Sequence, residues 1–259
     1  MSGLVNELDL AAQLAPPPVR DDFGVPFAVS HAHFINCDAQ AVADWRARRA
    51  PLGMTPAQYR EFSSTLFDAA DADHIAIIDA RLKGSAAIIY SGRHKTLPST
   101  WPEYLTAYCR THSCRLTSKG KNDLRVLFDH FWSMQPWPHR PPFDSMFKLK
   151  LAADPSDYDI QLSSDEIQQR CMKERLKSPD GGWEISHPTY GFFDETLVNL
   201  VIPNILRWAS TWAIVLGRHV AVKAFAGGGP PNQTATIGEL SSHFRTADWM
   251  IRRPQSGRD

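Results

Sequence analysis

Cysteine is scarce in this chain, and the four present, Cys37, Cys109, Cys114 and Cys171, are scattered. The closest pair lacks the spacing of a zinc knuckle, so the cysteines are read as reduced thiols and neither a metal nor a disulfide role is expected. Charge of one sign is also lacking, with 28 Lys and Arg against 28 Asp and Glu. A neutral chain has no net field to gather nucleic acid, so a long nucleic-acid partner is not expected. No apolar run approaches the length of a membrane span, and Met1 to Leu14 is too acidic and evenly mixed for a secretory signal. A cytoplasmic protein with no membrane partner is expected. There is no internal repeat. The one glycine-rich run, Gly227-Gly228-Gly229-Pro230-Pro231, has no following Lys-Ser or Lys-Thr and so is not a phosphate-binding P-loop.

What the chain does have is enough apolar material for a full core, 43% of 259 residues. Residues 1–37, with Pro16-Pro17-Pro18, read as an N-terminal arm, residues 38–251 as one domain, and residues 252–259 as a basic tail. Helices are expected from Asp38 to Arg49 with Asp38 as cap, and from Thr55, with Pro56 in the first turn, through Phe67. Asp71 to Lys83 reads as helix or, at Ile75-Ala76-Ile77-Ile78, as strand; periodicity leaves both open. Trp101 to Trp132 is helical in composition, and Lys119-Gly120-Lys121-Asn122 is expected to break it in two. With the proline-dense stretch that follows, residues 97–142 behave as a helical insertion. Further helices are expected from Ser163 to about Lys177 and from Phe193 to Leu216, the latter kinked or divided at Pro203 and stopped by Gly217. His219 to Phe225 alternates as a strand. The fold class expected is α+β, a mixed sheet flanked by helices.

The stretch with most chemical content is Pro155-Ser156-Asp157-Tyr158-Asp159-Ile160. Its alternation is that of a strand, which puts Asp157 and Asp159 on one face and Tyr158 and Ile160 on the other. Two adjacent carboxylates fit Mg²⁺, which takes hard oxygen ligands and completes its shell with substrate phosphates; the bland alternative is a pair of solvated aspartates at a strand end. Upstream, Gly84-Ser85 follows an apolar segment. Glycine lets a backbone approach a phosphate closely and serine adds a hydroxyl, although a plain turn has the same composition. Arg93, His94 and Lys95 form a compact basic cluster able to meet distal phosphates or simply to be solvated. His243, between Ser242 and Phe244, is a candidate for base or ribose contact, the alternative being a hydrogen-bonded structural histidine.

A Gly-Ser turn followed by a strand bearing Ser-Asp-hydrophobic-Asp resembles the DNA polymerase β-like nucleotidyltransferase superfamily, which includes the bacterial cyclic-oligonucleotide synthases related to cGAS. The resemblance covers about Ile75 to Phe225. It implies a nucleotidyltransferase fold in which Gly84 and Ser85 hold the triphosphate, Asp157 and Asp159 bind Mg²⁺ or Mn²⁺, and Ser156 completes the motif. It implies transfer of a nucleotidyl group from an NTP to a hydroxyl acceptor of unknown identity, with Arg93 or Lys95 neutralising the departing pyrophosphate. The chain departs from the family in two ways. The helical segment intervenes between the motifs, and the later strand, where a third carboxylate belongs, offers Ala221 and Lys223. Either Glu184, Asp194 or Asp248 supplies the missing acid, or Lys223 stands in for the second cation, or the chain binds nucleotide without transferring it, as a degenerate sensor or an interaction protein of the same fold.

Overall fold

The computed structural model describes residues 29–92, 94–177, 185–188, 190–230 and 248–254. After a 3₁₀ turn at Val29–Phe34, the chain forms α1 (Ala39–Arg46), α2 (Pro56–Ala72), β1 (Asp79–Lys83), α3 (Ser85–Ile88), α4 (Trp101–His112) and α5 (Ser118–Trp132). It continues through α6 (Ser145–Lys148), β2 (Tyr158–Ser163), α7 (Asp165–Leu176), α8 (Glu195–Val201), α9 (Pro203–Leu216), β3 (Val220–Phe225) and β4 (Trp249–Ile251). The architecture is mixed α+β around a four-stranded sheet of order β3-β2-β1-β4. β2 runs parallel to β3, while β1 is antiparallel to both β2 and β4.

The helix starts follow their capping residues. Asp38 accepts from the Ala41 N–H, and Thr55 and Gln58 form a capping box ahead of α2 with Pro56 at its first position. Thr100 and Glu103 form another ahead of α4. The break between α4 and α5 comes earlier than composition predicts. Ser113 takes a left-handed conformation and Thr117 caps α5 by accepting from the Gly120 N–H, so Gly120 lies in the first turn of a helix rather than between helices. Pro203 does divide the long apolar segment. The start of α9 is capped from a distance, because the buried Asp73 carboxylate accepts from the N–H groups of Asn204 and Ile205. Gly217 ends α9 at φ 60°, where a side chain is disfavoured.

The sheet is two-faced. Ala80 and Leu82 of β1, Tyr158, Ile160 and Leu162 of β2, Val220 and Ala224 of β3, and Trp249 and Ile251 of β4 are buried in the core against α2 and α9. Phe62 of α2 sits at the centre, 4.5 Å from the Trp208 ring and 5.2 Å from that of Trp212, with both indole N–H groups donating to Thr65. The opposite face carries Arg81, Lys83, Asp159, Gln161, Ser163, Ala221 and Lys223, as strand alternation requires. The helical segment has a hydrophobic cluster of its own, with Tyr104, Leu124, Phe128 and Phe131 packed on Phe34, Leu149 and Leu151. It therefore leaves the sheet after α3 and returns before β2 without disturbing the sheet core. Among the described residues no helix is long and apolar enough to cross a membrane, and the four cysteines are free.

Candidate functional site

The β1–β2 ladder sets the geometry of the site. Lys83 pairs with Asp159, so the next residue, Gly84, turns out of the sheet beside the Asp159 side chain. Gly84 has φ 74° and ψ −166°, a region essentially restricted to glycine, and a Cβ there would stand 3.1 Å from Asp159 Oδ2. Glycine is thus required both by the turn and by the carboxylate. Ser85 opens α3, which is pinned to the core by the Leu52 N–H donating to the Ala86 carbonyl and the Trp45 indole donating to the Ala87 carbonyl.

The entry to β2 is fixed by a buried ionic network. Arg218 donates to both oxygens of Asp144 at 3.0 Å and to the Ser156 carbonyl at 2.8 Å. Asp144 accepts from the Ser156 N–H, and the Ser156 hydroxyl accepts from the Asp144 N–H. The Arg218 guanidinium lies 4.9 Å from the Phe143 ring and 5.1 Å from that of Tyr158. Ser156 is therefore a strut that holds the chain just before Asp157. Asp144 and Arg218 escaped the sequence reading because they lie 74 residues apart and leave no local pattern.

Gly84, Ser85, His94, Lys95, Asp157 and Asp159 all line one cleft of about 590 Å³. His219, which sequence reasoning did not single out, lines it too; it precedes β3, and its carbonyl accepts from the Tyr158 N–H. Only its place beside the aspartate strand marks it, and that is a tertiary fact. Arg93 and His243 lie outside the described residues, as do Glu184, residues 1–28 of the arm and residues 255–259 of the tail. The Asp159 carboxyl is pushed up to about 6, chiefly because the cleft walls replace its water and secondarily because Asp157 repels its charge. Lys95, His219 and Lys223 oppose that rise. Asp159 keeps exposed surface, but that surface opens into the cleft, where protein crowds one side of it.

Among the described residues Asp154 also lines the cleft, while the acids considered for the missing carboxylate stand elsewhere. Ala221 stands opposite Asp159 on β3, and Lys223 stands opposite Gln161, its ammonium 4.7 Å from the Phe192 ring centroid. Asp194 caps α8, accepting from the Thr196 and Leu197 N–H groups. Asp248 shares the polar face, but Lys83 donates to both of its oxygens at 2.7 Å and Arg81 approaches it at 3.5 Å. No cluster of three or more potential metal-ligating side chains occurs among the described residues. Two carboxylates with open space beside them fit a single Mg²⁺ or Mn²⁺ whose other ligands are phosphate and water; they do not fit a second, protein-held ion. Beyond Asp159 on the same strand face, Gln161 Nε2 and Ser163 Oγ are buried without a partner. Comparison of the chain with family models, with curated proteins and with solved structures finds no match.

Proposed function

We propose that the cleft binds a nucleoside triphosphate through one divalent cation and acts as a nucleotidyltransferase site. The observation that carries this reading is the close approach of Gly84 to Asp159, which joins a glycine-serine turn and a carboxylate pair in one cleft with Lys95 and His219. Asp157 and Asp159 would hold Mg²⁺ or Mn²⁺, which, when bound, screens the phosphate charges. Gly84 lets the chain approach the phosphates without a Cβ, Ser85 offers its hydroxyl, and Lys95 offsets charge on the leaving group. In the transfer, the acceptor hydroxyl oxygen bonds the α-phosphorus as the bond to the bridging oxygen of the β-phosphate breaks. Pyrophosphate leaves and the hydroxyl proton passes to solvent.

Ala221 opposite Asp159 favours a second reading, nucleotide binding without transfer. One experiment separates the two. The full chain is incubated with each of the four labelled NTPs and Mg²⁺ or Mn²⁺, while binding is followed by calorimetry. Pyrophosphate release that is lost in Asp157→Asn supports transfer, and saturable, metal-dependent binding without release supports the binding protein. If no nucleotide binds, or if Asp157→Asn and Asp159→Asn bind as the parent does, both readings fail.

A further inference from the structure

A second cavity, of about 600 Å³, lies between the N-terminal half of α2 and the edge strand β4. Arg48, Arg60, Arg252 and Arg253 line it together with Tyr59 and Trp249. Of the four guanidiniums, Arg253 is committed, donating to both Asp71 oxygens at 2.7 Å. Arg48, Arg60 and Arg252 are exposed and have no carboxylate partner among the described residues. Arg48 lies over the Trp249 ring at 5.0 Å, and Arg48 and Arg252 both act electrostatically on the Tyr59 hydroxyl, which itself donates to the Met250 carbonyl. The Ser63 hydroxyl donates to the Arg252 carbonyl, fixing the backbone from which that guanidinium projects. Asp248 is the acidic side chain on the wall, and the Lys83 ammonium neutralises it from behind.

In a chain with no net charge, three guanidiniums that line one concavity and have no carboxylate partner among the described residues are a local surplus of like charge, which a bound anion would offset. Guanidinium is the side-chain group best matched to phosphate oxygens, which it binds in a fork, and the aromatic floor gives it a planar support. The cavity is of the size that takes a small ligand, where nucleic-acid recognition would call for a basic stripe on a protein of basic charge. We propose that this groove is a binding site for a small oligophosphate, held by Arg48, Arg60 and Arg252. The site does not depend on the nucleotidyltransferase reading, since the buried Lys83–Asp248 pair stands between the groove and the strand position of Asp159.

The test uses the full chain carrying Asp157→Asn and Asp159→Asn, so that the cleft no longer contributes a metal-dependent site. Inorganic tripolyphosphate, a nucleoside triphosphate and a single-stranded oligonucleotide are each titrated by calorimetry without divalent metal. Saturable binding of tripolyphosphate at one site, weakened at least tenfold by Arg60→Gln and again by Arg252→Gln, is the expected result. Both arginines are exposed on the surface, and their melting temperatures are checked against the parent. As a second readout, tripolyphosphate changes the fluorescence of the parent but not that of Trp249→Phe, because its ligand Arg48 lies on that indole. Unchanged affinity in both arginine variants, or no binding of tripolyphosphate, overturns the proposal. Binding of the oligonucleotide alone also overturns it, and would make the groove a nucleic-acid surface.

Discussion

At the scale of single residues, the site turns on what is absent at Gly84. With φ 74° and ψ −166°, the position lies outside the conformations that a residue with a Cβ readily adopts. The added carbon would also press on Asp159 Oδ2 from 3.1 Å. Gly84→Ala is therefore expected to destabilise the protein by about 1–3 kcal/mol, measured by urea unfolding. It should also weaken metal-nucleotide binding by calorimetry, because the carboxylate has to turn away from the methyl group. A variant as stable as the parent would show that the turn relaxes freely. Asp159 makes the complementary point. Its carboxyl is raised by the cleft and by Asp157, and nothing local in Asp-Tyr-Asp distinguishes this crowded pair from two solvated aspartates.

At the scale of elements, β2 is held by side chains that are remote in sequence. Asp144 follows the helical segment, Ser156 precedes the strand and Arg218 precedes β3, yet their hydrogen bonds close into one buried network. Removing one ion of such a pair leaves the other buried and uncompensated, at a cost of about 3–5 kcal/mol. Arg218→Met should show a loss of that size in chemical denaturation. The double variant Arg218→Met/Asp144→Asn should recover part of it, because the orphaned charge is then gone. If the double variant is as unstable as the sum of the singles, the pair is not coupled as the geometry requires.

At the scale of the whole molecule, His31 joins separate parts of the chain. It lies in the 3₁₀ turn, bonds the Tyr90 hydroxyl through Nδ1 and packs edge-on against that ring; its other neighbours are Pro136 and His139. Burial lowers its pKa to about 4, with neighbouring His139 acting in the same direction and the Pro136 backbone opposing it. The folded protein thus keeps His31 neutral at a pH where the unfolded chain, titrating near 6.5, takes up a proton. Its contribution is fully present above about pH 6.5 and is lost as pH falls towards 4. His31→Gln is expected to flatten the stability–pH curve between pH 6.5 and 4 relative to the parent, with the two curves parallel above that range. Denaturation midpoints at successive pH values check this, and parallel curves throughout would refute it.

Much of the local structure is legible in the sequence because it is decided by residues within one helical turn or one strand repeat. Asp38, Thr55, Thr100 and Ser164 cap the helices they precede, Pro203 and Gly217 divide and end the apolar segment, and Tyr158-Asp159-Ile160 alternates as a strand. The strand β1 is different. Asp79-Ala80-Arg81-Leu82-Lys83 has too few β-branched residues to announce itself, and the β-branched run before it, Ile75 to Ile78, is not a strand. β1 exists because β2 and β4 pair with it on both sides. The three-residue β4 is too short to carry any periodicity.

By itself, then, the sequence determined the alternation that sets Asp157 and Asp159 on one face, the glycine after an apolar segment, and the helix starts marked by a capping residue. Each rests on short-range sterics and hydrogen bonding. Only the tertiary structure decided that Gly84 lies against Asp159, that His219 joins their cleft, and that Ala221 pairs with Asp159. It also decided that Lys83 occupies Asp248 and that three arginines from the turn after α1, from α2 and from the segment after β4 line one cavity. These depend on strand register and on packing across the sheet, where a shift of one residue reverses every face, and no window along the chain contains both partners.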